Sequence, residues 1–317
     1  MYKIQKPGII RILSITIFCL IFIFSSLTVF AQSNRERFVL ENELTKTYDF
    51  KSGGEVYVEN THGNISIESW DKQQVEIVAD EYRRGYEEME VEISASSDRI
   101  RVETIQPRSY NWSNDRKSRA HYIIKVPKNT RINANTTHGR IDVENIDAKV
   151  ELETTHGRIE VKNVTGVVEV TTSHASIDLE SITGNIYAKT SHSPIYIYRT
   201  TSEEIDAETS HSQIRAEVEL AESGRYEFVT SHGNIELSVP EDSKMDVDVY
   251  TSPRDFKTDF EMDDFDIPER RSSDRRSSRY YRDYNDSVSR FDGQINGGGA
   301  RVRLKTSHGS ISLRIKN

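Results

Sequence analysis

A short phrase recurs along this chain at a spacing too regular for ordinary loops. It reads Thr136-Thr137-His138-Gly139-Arg140-Ile141-Asp142-Val143, and again Thr154-Thr155-His156-Gly157-Arg158-Ile159-Glu160-Val161. It returns as Thr172-Ser173-His174 and Thr190-Ser191-His192, with displaced copies around His62, His211, His232 and His308. His138, His156, His174 and His192 are 18 residues apart; His211 follows by 19 and His232 by 21. A fixed period of this size marks a solenoid or array, in which each repeat is one structural unit stacked on the next.

Each unit has the same anatomy. An isoleucine stands three places after the histidine in every copy: Ile65, Ile141, Ile159, Ile177, Ile195, Ile214, Ile235 and Ile311. Another apolar residue stands five places after it, from Ile67 and Val143 to Leu313. Polar residues alternate with these, so the pair marks the inward face of a strand. Next comes a corner holding Asn145, Asn163 or Ser181 beside Ile146, Val164 or Ile182. A second strand then turns Val150 and Leu152, Val168 and Val170, or Ile186 and Ala188 inward. No stretch of the mature chain sustains a period of 3.6, so it reads as all-β. The predicted fold is a parallel β-solenoid of roughly 18-residue coils, right-handed by the crossover rule. An antiparallel, irregular part is expected at its N-terminal end. One coil alone buries too little to fold, whereas stacked coils share a continuous core and pair their strands. A long antiparallel meander would also hold two strands per unit. It gives no reason for identical residues to recur at the same corner, and stacking does.

The N-terminus carries an address. Lys3, Lys6 and Arg11 precede an apolar run from about Ile12 to Phe30, and the run closes Val29-Phe30-Ala31-Gln32. This is the layout of a secretory signal peptide, residues 1–31, cleaved after Ala31. If the segment stays, it is long enough to anchor the chain in a membrane, the one membrane contact expected. The single cysteine, Cys19, lies inside the run. A cleaved chain therefore has no thiol chemistry, and its destination is periplasmic, outer-surface or secreted. The formal charge of −9 is spread along the chain, which argues against a nucleic-acid partner.

The remaining segments divide as follows. Residues 32–50 have mixed charge and little period and read as a lead-in. Residues 51–135 form an N-terminal β region of the solenoid, and 136–252 are the regular repeats. Residues 253–296 are charged and nearly devoid of aliphatic residues after Asp266, so they read as a mobile insertion. Residues 297–317 carry the final coil and close the stack.

The strand ending Val126-Pro127, a short polar link and then repeated Thr-(Ser/Thr)-x-Gly-x-Ile-x-Val units resemble the bacterial "putative adhesin" domain of β-strand repeats. The opening Val58-Glu59-Asn60-Thr61-His62-Gly63-Asn64-Ile65 and the close from Gly298 to Ile315 share the likeness. That resemblance covers about residues 50–317. It implies an exported, solenoid-like protein of unknown function, with an adhesive role suggested by the name. The chain departs from the family in placing histidine at nearly every turn.

Stacked coils lie about 4.8 Å apart, so equivalent histidines form a ladder. The main reading is structural: Thr136, His138, Thr154, His156, Thr172, His174, Thr190 and His192 form a turn ladder. In it, imidazoles stack and threonine hydroxyls bond turn amides. In a second reading, His138, His156, His174, His192, His211 and His232 are candidate metal ligands for Zn²⁺ or Cu²⁺. The phrase lacks thiolates or carboxylates at ligand spacing. Two protonated rings 4.8 Å apart repel by about 0.9 kcal/mol in bulk water. Stability is therefore expected to fall between about pH 7 and 5.

Outward acids recur in register, as Asp142/Glu144, Glu160/Lys162, Asp178/Glu180 and Glu151/Glu153. A repeated pattern fits a solvated face better than one catalytic site, so no catalytic residue and no cofactor is assigned. Tyr187, Tyr196 and Tyr198 are the candidate binding surface for a protein or glycan. The function read from the sequence is a non-catalytic, exported structural or binding protein. A polysaccharide-active enzyme on the same scaffold is the alternative, and a metal-binding or pH-responsive surface protein the third.

Overall fold

The structure, a computed structural model, describes residues 34–40, 43–82, 89–105, 119–252, 254–263 and 289–316. The signal segment 1–31 and residues 264–288 of the charged stretch lie outside the described residues. The described secondary structure is entirely β. In chain order, β1 (Asn34–Leu40) and β2 (Glu43–Asp49) come first. β3 (Glu55–Glu59) and β4 (Ile65–Trp70) flank His62. Then come β5 (Gln74–Tyr82), β6 (Met89–Ala95), β7 (Arg99–Ile105) and β8 (Arg119–Pro127). The regular coils are β9 (Arg131–Thr136) with β10 (Ile141–Ile146), β11 (Val150–Thr154) with β12 (Ile159–Thr165), and β13 (Val168–Thr171) with β14 (Ile177–Thr183). β15 (Ile186–Lys189) leads into two long strands, β16 (Ile195–Thr209) and β17 (Ile214–Thr230). The chain ends with β18 (Ile235–Val239), β19 (Met245–Thr251), β20 (Phe256–Thr258), β21 (Ser289–Ile295), β22 (Ala300–Thr306) and β23 (Ile311–Ile315).

The pairings build a parallel β-solenoid with two faces. On the first face β8, β4, β10, β12, β14, β16, β17, β18, β23 and β20 run parallel in that order. On the second, β7, β3, β9, β11, β13, β15, β16, β17, β22 and β19 do the same. β16 and β17 serve both faces, and their mutual register shifts between Ile197 and Thr200 and again between Ser202 and Glu204. Antiparallel strands extend the ends: β5 and β2 beyond β8, β6 and β1 beyond β7, and β21 beyond β19. The antiparallel N-terminal part is thus as the sequence suggests.

The register follows the repeat. Ile65, Ile141, Ile159, Ile177, Ile195, Ile214, Ile235 and Ile311 pair in succession along the first face. All are buried in one core that runs through the stack. The corner after these strands is tight. Asn145, Asn163, Ser181 and Arg199 all take positive φ, between 51° and 61°. An L-residue pays roughly 1–2 kcal/mol for that conformation, and asparagine bears it best. Asn163 Nδ2 also donates to Asn145 Oδ1 at 3.1 Å, tying one corner to the next.

The structure changes three readings of the ends. Residues 32–50 contain two strands rather than a plain lead-in, and Leu40 is fully buried. The stretch 253–296 contributes β20 and β21, with Phe256, Phe260 and Met262 packed against the core. The last coil in sequence is also not the last in space. β22 lies between β17 and β19, and β23 between β18 and β20, so the outermost coil is β19–β20. The N-terminal end repeats this exchange: β3–β4 sits between β7–β8 and β9–β10.

Candidate functional site

At the corner where each second-face strand meets the next first-face strand, the repeated phrase becomes one column. His62, His138, His156, His174, His192, His211, His232 and His308 stack ring on ring. Neighbouring centroids are 4.6–5.2 Å apart and planes are within 9° of parallel. The stack runs in the spatial order of the coils, which is why His62 meets His138 and His232 meets His308. Backbone hydrogen bonds hold the spacing. Each ladder histidine from His138 onward donates its N–H to a carbonyl one coil away, as His156 does to Thr137 at 3.0 Å. His62 is buried, and the other seven stand at the exposed edge.

The threonines two places earlier point inward and are buried. The sequence suggests that they bond turn amides. Gly157 N does donate to Thr154 Oγ1 at 3.2 Å, but the recurring bond goes the other way. Thr136, Thr154, Thr172, Thr190, Thr209, Thr230 and Thr306 each donate to a carbonyl of the neighbouring coil, at 2.9–3.5 Å. The acceptor is the residue just after a histidine, such as Gly157 for Thr172. Thr251 makes the same bond to Gly309 at 3.1 Å, although the sequence has Pro253 where a histidine would stand. The threonine, not the imidazole, therefore satisfies the turn. Among the imidazoles, His192 Nδ1 lies 3.3 Å from the carbonyl of Ser173. In the tautomer protonated at Nδ1, that contact is a hydrogen bond donated to the carbonyl.

The candidate metal ligands His138, His156, His174, His192, His211 and His232 are thus brought together, but as a stack rather than a formed site. In nearly parallel rings, equivalent nitrogens are as far apart as the centroids. Two Zn–N bonds of about 2.0–2.1 Å span at most about 4.2 Å. Among the described residues, no group of three or more His, Cys, Asp or Glu is arranged to hold a metal ion.

The candidate tyrosines divide between the two faces. Tyr196 and Tyr198 are outward on the first face, with rings 6.2 Å apart and 10° from parallel. Gln213 Nε2 donates to Tyr196 Oη at 3.0 Å. Tyr187 lies on β15 of the second face and donates to Glu204 Oε2 at 2.8 Å. That hydrogen bond, with some burial, raises the Tyr187 pKa above the usual phenol value. One ligand contact can include the first two, but Tyr187 belongs to another surface.

The outward acids are paired across coils. Arg140 bridges Asp142 and Glu160, Arg158 reaches Glu160 and Asp178, and Lys162 closes on Glu160. On the second face Lys149 joins Glu151 to Glu169. Lys162, its largest stabilising neighbour, and the two arginines lower the Glu160 pKa, while burial raises that of Asp142 despite Arg140. These charges form continuous strips across the coils.

One concavity went unread in the sequence. A groove of about 680 Å³ lies over β17, β22, β19 and β21, lined by Arg225, Glu227, Asp248, Arg290, Arg301 and Arg303 among others. Arg290 and Arg303 lie over the Tyr250 ring at 5.6 and 5.1 Å. Its signal is the alternation of charged residues in Asp246/Asp248 and Arg301/Arg303. The groove needs β22 beside β19, which spacing alone does not reveal.

No curated protein matches the chain. Two solved structures match the chain over most of their length. One, described as a "putative cell adhesion protein" of Clostridium sporogenes, is 11% identical, with 90% of this chain and 99% of that one covered and a TM-score of 0.29. The other, a "putative adhesin" of Bacteroides fragilis, is 10% identical, with 86% and 97% covered and a TM-score of 0.36. The repeat, the parallel coils and the N-terminal strands fall within residues 23–314, which match the Toastrack DUF4097 family, and the chain belongs to that family.

Proposed function

We propose that this protein is an exported, non-catalytic structural or binding component of the bacterial envelope or cell surface. The observation that carries the reading is the pairing of outward charge from coil to coil. Glu160 alone is met by Arg140, Arg158 and Lys162. Groups engaged in such strips stiffen a long surface, whereas a catalytic centre needs groups whose environments set them apart. A rigid two-faced solenoid offers extended flat surfaces, and Tyr196 with Tyr198 supplies the aromatic patch on which a sugar ring or a protein side chain stacks.

Two measurements test this. Fractionation of cells making the full chain should find it outside the cytoplasm, with a mature N-terminus after Ala31 by mass spectrometry. A cytoplasmic, uncleaved product overturns the exported part. For binding, the chain is screened against glycan arrays and whole cells, beside a Tyr196→Ser/Tyr198→Ser variant. Loss of about tenfold or more in affinity, some 1.4 kcal/mol, supports the tyrosine surface. Unchanged binding removes it.

A further inference from the structure

We propose that the groove over β17, β22, β19 and β21 binds an acidic oligosaccharide, with the carboxylate of one sugar on Arg301 and Arg303 and a hydroxyl of the next on Asp292. The groove belongs to the second face, while Tyr196 and Tyr198 are on the first. The inference therefore goes beyond the tyrosine surface and does not depend on it. Three observations point there. The Arg301 side chain is exposed and, among the described residues, makes no ion pair or hydrogen bond. Arg303 gives one N–H to Glu227 at 3.3 Å, while its Nε is buried without a hydrogen-bond partner. Such an unpaired buried group is rare and costs stability. Arg301 also lies in register with Arg225 on β17. Like charges side by side weaken a sheet, and Arg225 is already engaged by Glu204. The two arginines of β22 thus hold idle donors next to each other along one strand face.

The ligand class follows from charge and spacing. The lining carries four arginines and four acids. A polyanion or a phosphate dianion gains little from so balanced a field, whereas a single carboxylate matches the planar fork of a guanidinium. The Arg303 side chain is partly exposed, so rotation about its outer χ angles turns Nε–H toward a bound carboxylate. Three of the acids are occupied: Glu227 by Arg303, Asp246 by Gln294 and Asp248 by Arg290. Asp292 is exposed on β21 and accepts no hydrogen bond among the described residues. It stands in line with Arg303, because Arg303 pairs with Asp248 and Asp248 with Asp292. Two strand spacings, about 10 Å, separate β22 from β21, which is more than one sugar ring spans. Tyr226, Val247 and Val302 in the lining are buried, so the groove has no apolar floor for a lipid. Its volume of about 680 Å³ is that of a small-molecule site.

The test separates the charge, the sugar and the face. The full chain is titrated by calorimetry with uronic-acid tetrasaccharides (oligogalacturonate, oligoglucuronate and alginate fragments). The methyl ester of each, tetraglutamate and inorganic phosphate are titrated beside them. At least one uronate should bind, and its uncharged ester should bind about tenfold more weakly or worse. Tetraglutamate and phosphate should not be taken up at the same concentrations. Arg301→Gln, checked for a wild-type circular dichroism spectrum, should weaken the uronate by about tenfold or more. The Tyr196→Ser/Tyr198→Ser variant should bind it as the unmodified protein does. No uptake of any uronate, an ester as good as its acid, or equal binding of tetraglutamate or phosphate overturns the proposal. So does an Arg301→Gln variant as tight as the unmodified protein. Loss of the uronate in the tyrosine variant puts the sugar on the first face and overturns it as well. Should Arg301→Gln misfold, Arg301→Lys takes its place. It keeps the charge but not the fork, so it must still weaken binding, and unchanged affinity overturns the proposal.

Discussion

At the scale of single residues, the most constrained positions are the corners. Asn163 holds φ at 52° and hydrogen-bonds Asn145, so it combines a conformation few residues tolerate with a contact between coils. Replacing it with Val, whose branched Cβ is worst placed there, should cost about 1–2 kcal/mol, read as a lower denaturation midpoint. Arg199 takes the same conformation at φ 51° without the chemistry for it. Its ion pair with Glu180 is largely exposed and so contributes little. Arg199→Asn should therefore raise stability, by up to about 1 kcal/mol; a lower midpoint would mean that the pair with Glu180 outweighs the backbone strain. The corner was legible in the sequence at Asn145, Asn163 and Ser181, which are turn-forming residues. It was not legible at Arg199, where only the 18-residue spacing marks the place.

At the scale of elements, strand existence and inward faces followed from alternation, because the inner isoleucines pair with one another coil after coil. What alternation leaves open is which surface groups meet across coils, since that depends on side-chain reach. β10, β12 and β14 show the consequence. Glu160 has its pKa lowered by the hydrogen bond from Lys162 and by the arginines on either side. A folded value below the unfolded one contributes stability that is present above the unfolded carboxylate range and lost as pH falls through the folded value. Asp142 has its pKa raised, chiefly by burial. Its contribution has the opposite sign: it favours the fold at acid pH and is lost as pH rises through the folded value. Glu160→Gln should thus flatten the fall in melting temperature between about pH 5 and 3. Asp142→Asn should leave stability at pH 7 unchanged or higher, although an exposed part of the site limits either effect to about 1 kcal/mol. Both checks are thermal melts across pH. A Glu160→Gln melt as acid-sensitive as the unmodified protein's would show that the strip does not carry the acid limb.

At the scale of the whole molecule, the solenoid was readable but its ends were not. Spacing identifies a coil; it does not say which coil is its neighbour in space. At each end an outer coil is out of sequence order, so β22–β23, the last in sequence, lies between β17–β18 and β19–β20. The tyrosine surface failed to come together for a related reason, because Tyr187 and Tyr196 lie on strands that follow each other in sequence but face different ways. Stability in such a stack is carried by contacts between neighbouring coils, so the inserted coil couples the outermost one to the rest. Val302, Leu304, Ile311 and Leu313, which it contributes, are buried to within 2%. A chain ending at Asn296 lacks all four and leaves β19 without its parallel partner. Amides in Met245–Thr251 and Ser289–Ile295 should then exchange with solvent far faster, while those of β10 to β15 keep their protection, because nearest-neighbour coupling fades within a coil or two. The competing outcome is specific. Thr251-Ser252 continues the same phrase as Thr230-Ser231, so β19 has the register to dock directly on β17. Full protection of Met245–Thr251 in the shortened chain would show that it does so, and that the order of coils at this end is a choice made by the last 21 residues rather than a requirement of the strands they separate.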